Sequence, residues 1–162
     1  MIHLILGNTG AGKTTYAQAL TEKLQGVIFS VDHWNNTLFL ADKQPTDGVD
    51  WFLERISRGD TMLRSLVKQL EEAGVDSILD LGFAKEERRA NFCNFAKAYS
   101  FNYQLHFLDI PKEIRRQRVV QRNTDKGDTF QFEVSNADFE FMETWFERPT
   151  DKELVGATLI TV

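Results

Sequence analysis

Between an apolar run, Ile2-His3-Leu4-Ile5-Leu6, and a helix-compatible stretch, Thr15-Tyr16-Ala17-Gln18-Ala19-Leu20, lies Gly7-Asn8-Thr9-Gly10-Ala11-Gly12-Lys13-Thr14. This is G-x-x-x-x-G-K-[ST] in a strand-turn-helix setting, which confines the chain to few architectures. Gly7, Gly10 and Gly12 leave room for backbone N–H groups to wrap a polyphosphate. The helix that follows adds its partial positive charge. Lys13 can reach the β- and γ-phosphates, and the Thr14 hydroxyl can ligate magnesium. Asn8, Thr9, Ala11 and Thr15 complete the expected nucleotide-binding set. A glycine-rich hairpin would not account for Lys-Thr-Thr.

Apolar runs alternate with helical patterns over most of the chain. Strands are expected at Ile2–Leu6, Val27–Val31, Val75–Leu81, Phe101–Leu108 and Leu154–Val162. Helices are expected at Lys13–Leu24, from Val49 to Ala73 with a break at Gly59-Asp60, and at Lys85–Tyr99, Pro111–Arg122 and Ala137–Glu147. Strands separated by helices imply parallel crossovers, hence a three-layer α/β/α sandwich. At 162 residues the chain reads as a single domain, 1–162. Ligands of such sheets bind beyond the carboxyl ends of the strands, which singles out Gly7–Lys13, Asp32, Asp80 and Asp109.

A net charge of −5 argues against a protein that coats nucleic acid nonspecifically, though it leaves room for a local basic groove. The one cysteine, Cys93, excludes an intrachain disulfide, and no Cys/His cluster suggests zinc. His106 has no partner at metal-ligand spacing. No apolar run is long enough for a membrane span, and the first strand enters the glycine turn at once, leaving no room for a signal peptide. A reducing cytoplasm, where ATP is plentiful, is the expected setting.

Four features bear on what the triphosphate is for. Asp32 follows Phe29-Ser30-Val31; it either caps a short helix or faces the γ-phosphate, where it would orient and deprotonate an attacking hydroxyl. Asp80 closes Val75-Asp76-Ser77-Ile78-Leu79-Asp80 and is either a magnesium-holding carboxylate or a turn residue before Gly82. Arg115, Arg118 and Arg122 share one helical face at i, i+3, i+7 with only Glu113 as a nearby counter-ion. That suggests an anionic partner, a solvated basic face being the alternative. The polar segment from Asn123 to Thr129 suits either a short lid at 123–134 or a surface loop.

These residues resemble the P-loop kinases of the nucleoside-monophosphate kinase type, and more closely their small relatives among AAA-type ATP-binding proteins, polynucleotide 5′-hydroxyl kinases and zeta-toxin-like kinases. The matching motifs are Gly7–Thr14, Val31-Asp32, Leu79-Asp80-Leu81-Gly82-Phe83 and Ile110-Pro111-x-Glu113-Ile114-x-x-x-Arg118-x-x-x-Arg122. The resemblance implies a five-stranded parallel P-loop NTPase sheet of order 2-3-1-4-5. It also implies Arg118 beside the base and Arg122 as a cation for the transferred phosphate. The Asp-Gly-Phe-Pro-Arg of adenylate kinases is replaced by Asp80-Leu81-Gly82-Phe83-Ala84-Lys85, without the arginine that grips a nucleotide acceptor; Arg88 or Arg89 could take its place. The expected activity is Mg-ATP-dependent phosphoryl transfer to a hydroxyl, of a small molecule or a nucleic-acid 5′ end, with Lys13, Asp32 and Arg122 catalytic and with Thr14 and Asp80 holding the metal. A nucleotide-binding regulatory ATPase with no acceptor is the alternative. A nucleic-acid acceptor, not favoured, would need a basic track, for which Arg55, Arg58 and Arg64 are the local candidates. Trp34 and Trp51 near the acceptor region read first as core residues.

Overall fold

Alternate residues of the first strand feed two different cores. Ile2, Leu4 and Leu6 pack with Leu63, Val67, Phe92 and Ala96, whereas Ile5 packs with Ala11, Ala17, Ile78, Leu108 and Ile110. A strand buried on both faces belongs at the centre of a parallel sheet. The computed structural model, which describes residues 1–127, 130 and 132–162, places it there. Among the described residues the strands are β1 (Ile2–Leu6), β2 (Val27–Ser30), β3 (Ser77–Asp80), β4 (Tyr103–Leu108) and β5 (Thr158–Ile160), all parallel in the order β2-β3-β1-β4-β5.

The helices are α1 (Lys13–Leu24), α2 (Val31–Trp34), α3 (Val49–Glu72), α4 (Glu86–Ala98), α5 (Lys112–Asp125) and α6 (Asn136–Trp145). Leu63 and Val67 of α3, with Phe92 and Ala96 of α4, cover one face of the sheet. Ala17 of α1 and Ile114 of α5 cover the other. A smaller cluster of Val119, Val134 and Phe139 seats α6 on α5. These are the three layers expected from the alternation of elements.

Several boundaries differ from the sequence reading. Helix α3 runs unbroken through Gly59-Asp60, because one helical glycine costs only about 1 kcal/mol and Asp60 is buried against a partner. The second strand stops at Ser30, so Val31 and Asp32 open α2. The last strand is only Thr158–Ile160. Helix α5 continues to Asp125, taking Asn123, Thr124 and Asp125 out of the expected loop. The Asn123 amide then bridges to both backbone groups of Val134, at 2.8 and 3.2 Å, tying together the two ends of the segment expected as a lid at 123–134. Within that segment Asp128, Thr129 and Gln131 lie outside the described residues.

Candidate active site

Parallel pairing sets every strand's carboxyl end on one edge. The register Ser30↔Asp80 brings the start of α2 beside the end of β3, and Leu6↔Phe107 brings the glycine turn beside the end of β4. In that turn Gly10 has φ +79, and a Cβ there would lie 2.4 Å from the Arg115 carbonyl oxygen. Gly12 has φ +92 and precedes the first residue of α1. Only glycine meets both demands, a left-handed backbone and a close approach of α5.

Lys13 Nζ donates to the Asn8 carbonyl at 3.3 Å, and Thr14 Oγ1 donates to Asp80 Oδ2 at 2.7 Å. Hydroxyl and carboxylate therefore sit side by side as two hard oxygen donors, the type magnesium takes. Among the described residues there is no group of three His, Cys, Asp or Glu side chains able to hold a metal by themselves. Such a donor pair suits an ion that draws its remaining ligands from phosphate oxygens and water. Thr15 is exposed on the first turn of α1.

Asp32 does not cap α2: Ser30 Oγ accepts from the His33 N–H, and Asp32 lies in the helix's first turn. Burial pushes its carboxyl pKa up, as does the like charge of Asp80, against the opposing pull of Lys13, Arg122 and Arg88. Burial lowers the Lys13 pKa, opposed by Asp80 and Asp32. Arg122 is likewise lowered by burial, opposed by Asp32, and its Nε is buried with no hydrogen-bond partner among the described residues. Lys13, Asp32, Asp80 and Arg122, drawn from four separate segments, thus share one electrostatic site. Two of its cations are held below their ordinary range by desolvation.

The three arginines of α5 have different roles. Arg115 is buried and structural: it donates to both oxygens of Glu143 at 2.6 and 2.9 Å, to the Thr9 carbonyl at 3.2 Å and to the Ile110 carbonyl at 2.8 Å. Arg116 and Lys112 pair with Glu140 of α6. The counter-ions missing near α5 in sequence therefore come from α6, and the shared face does not bind an anion as a unit. Arg118 lies along the glycine turn, donating to the Ala11 carbonyl at 3.1 Å. Arg122 alone is left facing Asp32.

Glu143 carried no local signal in the sequence. Its Oε1 also accepts from Asn8 Nδ2 at 2.6 Å, while Asn8 Oδ1 accepts from the Thr9 N–H at 2.7 Å. Helix α6 thus grips the phosphate turn through two side chains and one carbonyl. Asp109 is taken up by Arg148 in a two-pronged pair at 2.7 and 2.5 Å, which holds its carboxyl below the usual range. It stands at the carboxyl edge as expected, but as a structural residue.

A narrow slot of about 10 Å³ lies between α2, the turns that follow it and α3. Val31, Trp34, Phe39, Ile56 and Leu63 line it, with Arg55, Asp60 and Arg88 as its charged groups. Trp34 meets Phe29 edge-on at 5.9 Å and packs half-buried against the main core, as expected from the sequence, while also lining the slot. Arg88 and Asp60 form a two-pronged pair at 2.9 and 2.6 Å. Arg89 is fully buried, donating to Glu153 and to the Phe83, Ala84 and Glu147 carbonyls, and is unavailable to any ligand. Arg64, one of the candidates for a basic track, lies over the Phe92 ring of α4 at 5.2 Å. A larger cavity of about 320 Å³ lies under α4 against Tyr103–Leu105, at the other end of β4 from the phosphate turn.

His106 does have partners. His3 Nδ1 approaches its Nε2 at 3.0 Å and the Tyr16 hydroxyl its Nδ1 at 2.8 Å, a buried row crossing from β1 through β4 to α1. Among the described residues no helix is long and apolar enough to cross a membrane.

Known proteins are similar to this chain in sequence or fold. A family model described as an AAA domain matches residues 2–149. The guanylate kinase of Thermotoga maritima is 26% identical, across 87% of this chain and 73% of its own. A candidate kinase of Chloroflexus aurantiacus superposes with a TM-score of 0.72 at 19% identity, covering 99% of this chain and 83% of that one. Kti12 of Chaetomium thermophilum, solved with ADP-AlF3, gives 0.71 at 16%, covering 100% and 88%. At those identities the two structures speak for the fold, and the family model for kinship: the chain belongs to the AAA domain family and has the fold of the P-loop kinases.

Proposed function

We propose that this protein is a magnesium-dependent ATP phosphotransferase acting on an alcohol hydroxyl. The observation that carries the reading is the glycine turn ending in Lys13, with Thr14 held against Asp80 at 2.7 Å and Asp32 close enough to share their electrostatics. Two cations with lowered pKa values gain stability when a polyphosphate arrives, because its negative charge offsets what burial removed. A carboxylate whose pKa is raised toward neutrality makes an effective general base.

Lys13 and the N–H groups of the glycine turn would hold the β- and γ-phosphates, with Arg118 along the turn. Thr14 and Asp80 would hold magnesium, which neutralises charge on the phosphate oxygens. Asp32 takes the acceptor's hydroxyl proton while the oxygen bonds to the γ-phosphorus. The bond from that phosphorus to the bridging oxygen breaks, and its electron pair leaves with ADP. Arg122 offsets the charge that develops on the transferring group. The likeness to a guanylate kinase supports the reaction class without fixing the acceptor.

ADP formation from Mg-ATP, measured alone and then with a panel of alcohols, tests this. Stimulation by an acceptor is expected, and Asp32→Asn should lower it about a thousandfold. Asp32 works only when ionised, so the wild-type rate should fall as pH drops through its raised pKa, and the variant should lose that limb. Rapid hydrolysis without acceptor, unchanged in Asp32→Asn, would refute the proposal in favour of a regulatory ATPase.

A further inference from the structure

The largest fully buried side chain among the described residues is a charged one, Arg89 of α4, 1% exposed. The turn that follows Asp80 explains its place. There the chain leaves β3 through Leu81-Gly82-Phe83-Ala84, with Gly82 at φ +60, and enters α4 at Glu86. Carbonyls in such a turn lie outside the ladder of the sheet and need other donors. Arg89 Nη1 donates to the Phe83 and Ala84 carbonyls at 3.2 and 3.4 Å and to the Glu147 carbonyl at 2.9 Å. Its Nε and Nη2 donate to the two oxygens of Glu153 at 2.7 and 3.2 Å. Glu153 is itself aimed by Thr150, whose N–H and hydroxyl donate to Oε2 at 2.9 and 3.2 Å. The Glu147 N–H donates back to the Ala84 carbonyl at 2.8 Å. One guanidinium therefore hangs the turn after Asp80 on the segment between α6 and β5. An apolar side chain of the same volume would fill the space with no charge to desolvate, so stability alone does not explain an arginine there.

We propose that Arg89, oriented by Glu153, is a positioning residue for the magnesium site: it fixes the turn that decides where the Asp80 carboxylate points. The proposal rests on the assignment of magnesium to Thr14 and Asp80 and extends it to residues outside that pair. Asp80 is the last residue of β3, and only Leu81 and Gly82 separate it from the gripped Phe83. Asp80 Oδ2 has to stay beside Thr14 Oγ1, 2.7 Å away, because magnesium demands near-ideal octahedral geometry. A turn free to swing about Gly82 would spread the carboxylate over several directions, few of which suit the ion. Arg88 holds the same turn from the other side through the Leu81 carbonyl, anchored on Asp60 of α3. Because Arg88 also acts on the charge of Asp32, Arg89 is the cleaner probe.

ADP affinity should be measured by calorimetry, once with saturating magnesium and once with EDTA, for wild type, Arg89→Met, Arg89→Lys and Glu153→Gln. Loss of an outer partner of a metal ligand lowers metal affinity about tenfold to a hundredfold. Arg89→Met and Glu153→Gln should therefore lose about tenfold in Mg-ADP affinity. Metal-free ADP affinity should stay within about twofold of wild type, because the glycine turn is untouched. Arg89→Lys, which keeps a charged donor, should recover part of the loss. Val67→Ala, buried in the same core with no tie to the turn, controls for general destabilisation: its Tm should fall while its Mg-ADP affinity stays. Three results would overturn the positioning role: unchanged Mg-ADP affinity in both Arg89→Met and Glu153→Gln, an equal loss with and without magnesium, or the same loss in Val67→Ala. None of these measurements needs an acceptor, so failure of every alcohol to stimulate ADP formation would refute the phosphotransferase reading and leave this result standing. If magnesium does not strengthen ADP binding even in wild type, the metal assignment falls and the positioning role with it.

Discussion

Removing the Glu143 carboxylate should loosen the phosphate turn from a helix outside it. Arg115 is 7% exposed and the Glu143 side chain 17%, so the pair is shielded from water, and both of its prongs are short. Taking one partner from such a pair strands a buried guanidinium, at a cost of about 3–5 kcal/mol. Partial exposure of Glu143 puts Glu143→Ala near the lower figure, about 3 kcal/mol. Glu143→Gln keeps the shape and one acceptor but loses the charge assistance, about 1.5 kcal/mol. For a domain of this size each kcal/mol lowers Tm by about 2–4 °C, so the expected drops are about 6–12 °C and 3–6 °C.

Stability alone would not separate a clamp from an ordinary buried pair. The separation comes from nucleotide affinity, because Glu143 also holds Asn8 and Arg115 holds the Thr9 carbonyl. Glu143→Gln should weaken Mg-ADP binding about tenfold by calorimetry, equivalent to about 1.4 kcal/mol. Replacing both partners with apolar residues, Arg115→Met with Glu143→Leu, should return stability to within about 1 kcal/mol of wild type, since neither charge is then left alone. It should not return the affinity, because the turn has lost its ties. If Glu143→Ala costs under about 1 kcal/mol and nucleotide binding is unchanged, the contact behaves as a screened surface pair and the clamp does not exist.

Gly10→Ala would put a methyl group 2.4 Å from the Arg115 carbonyl oxygen in a left-handed backbone, so thermal unfolding should report a loss of about 2–4 kcal/mol, and an unchanged Tm would mean that α5 does not press on the turn. The His3–His106–Tyr16 row makes stability pH-dependent: burial first, and His3 second, lower the His106 pKa from 6.5 to about 4. The unfolded chain therefore binds a proton near pH 6.5 that the folded chain refuses until about pH 4, so stability falls as pH drops through that window. The full shift would be worth about 3 kcal/mol, and roughly half that after solvent screening. Urea melts at pH 7 and pH 4.5 should show that loss in wild type and much less in His106→Phe; equal losses would refute it.

The readable part of the site lay where a function needs neighbours in sequence. The glycine turn is such a case, since its φ values and its lysine are set within eight residues. Asp80 at a strand end is another; it accepts from the Thr14 hydroxyl at 2.7 Å. Asp32 was readable as a position but not as a state: the charges of Asp80, Lys13 and Arg122 that act on it all come from other segments. The strand order came from the resemblance rather than from periodicity, and it is the order found. Gly59-Asp60 misled because a glycine next to an aspartate reads as a break. The Arg88 that buries Asp60 within a continuous helix lies on another element.

The three arginines of α5 show where such reading stops. Their spacing gave one face correctly, but a face is not a role. Each successive residue rises about 1.5 Å, so Arg115, Arg118 and Arg122 meet three different neighbours in turn. At the first level α6 supplies Glu143; at the second the turn supplies the Ala11 carbonyl. At the third stands Asp32, with the Arg122 Nε buried and unpaired among the described residues. A buried donor without a partner costs roughly 1–3 kcal/mol, more when charged, unless water or a bound group satisfies it. That leftover donor is what the sequence could not reveal. On the proposed function it is the donor a phosphate oxygen would meet, whereas Arg115 and Arg118 already have protein partners.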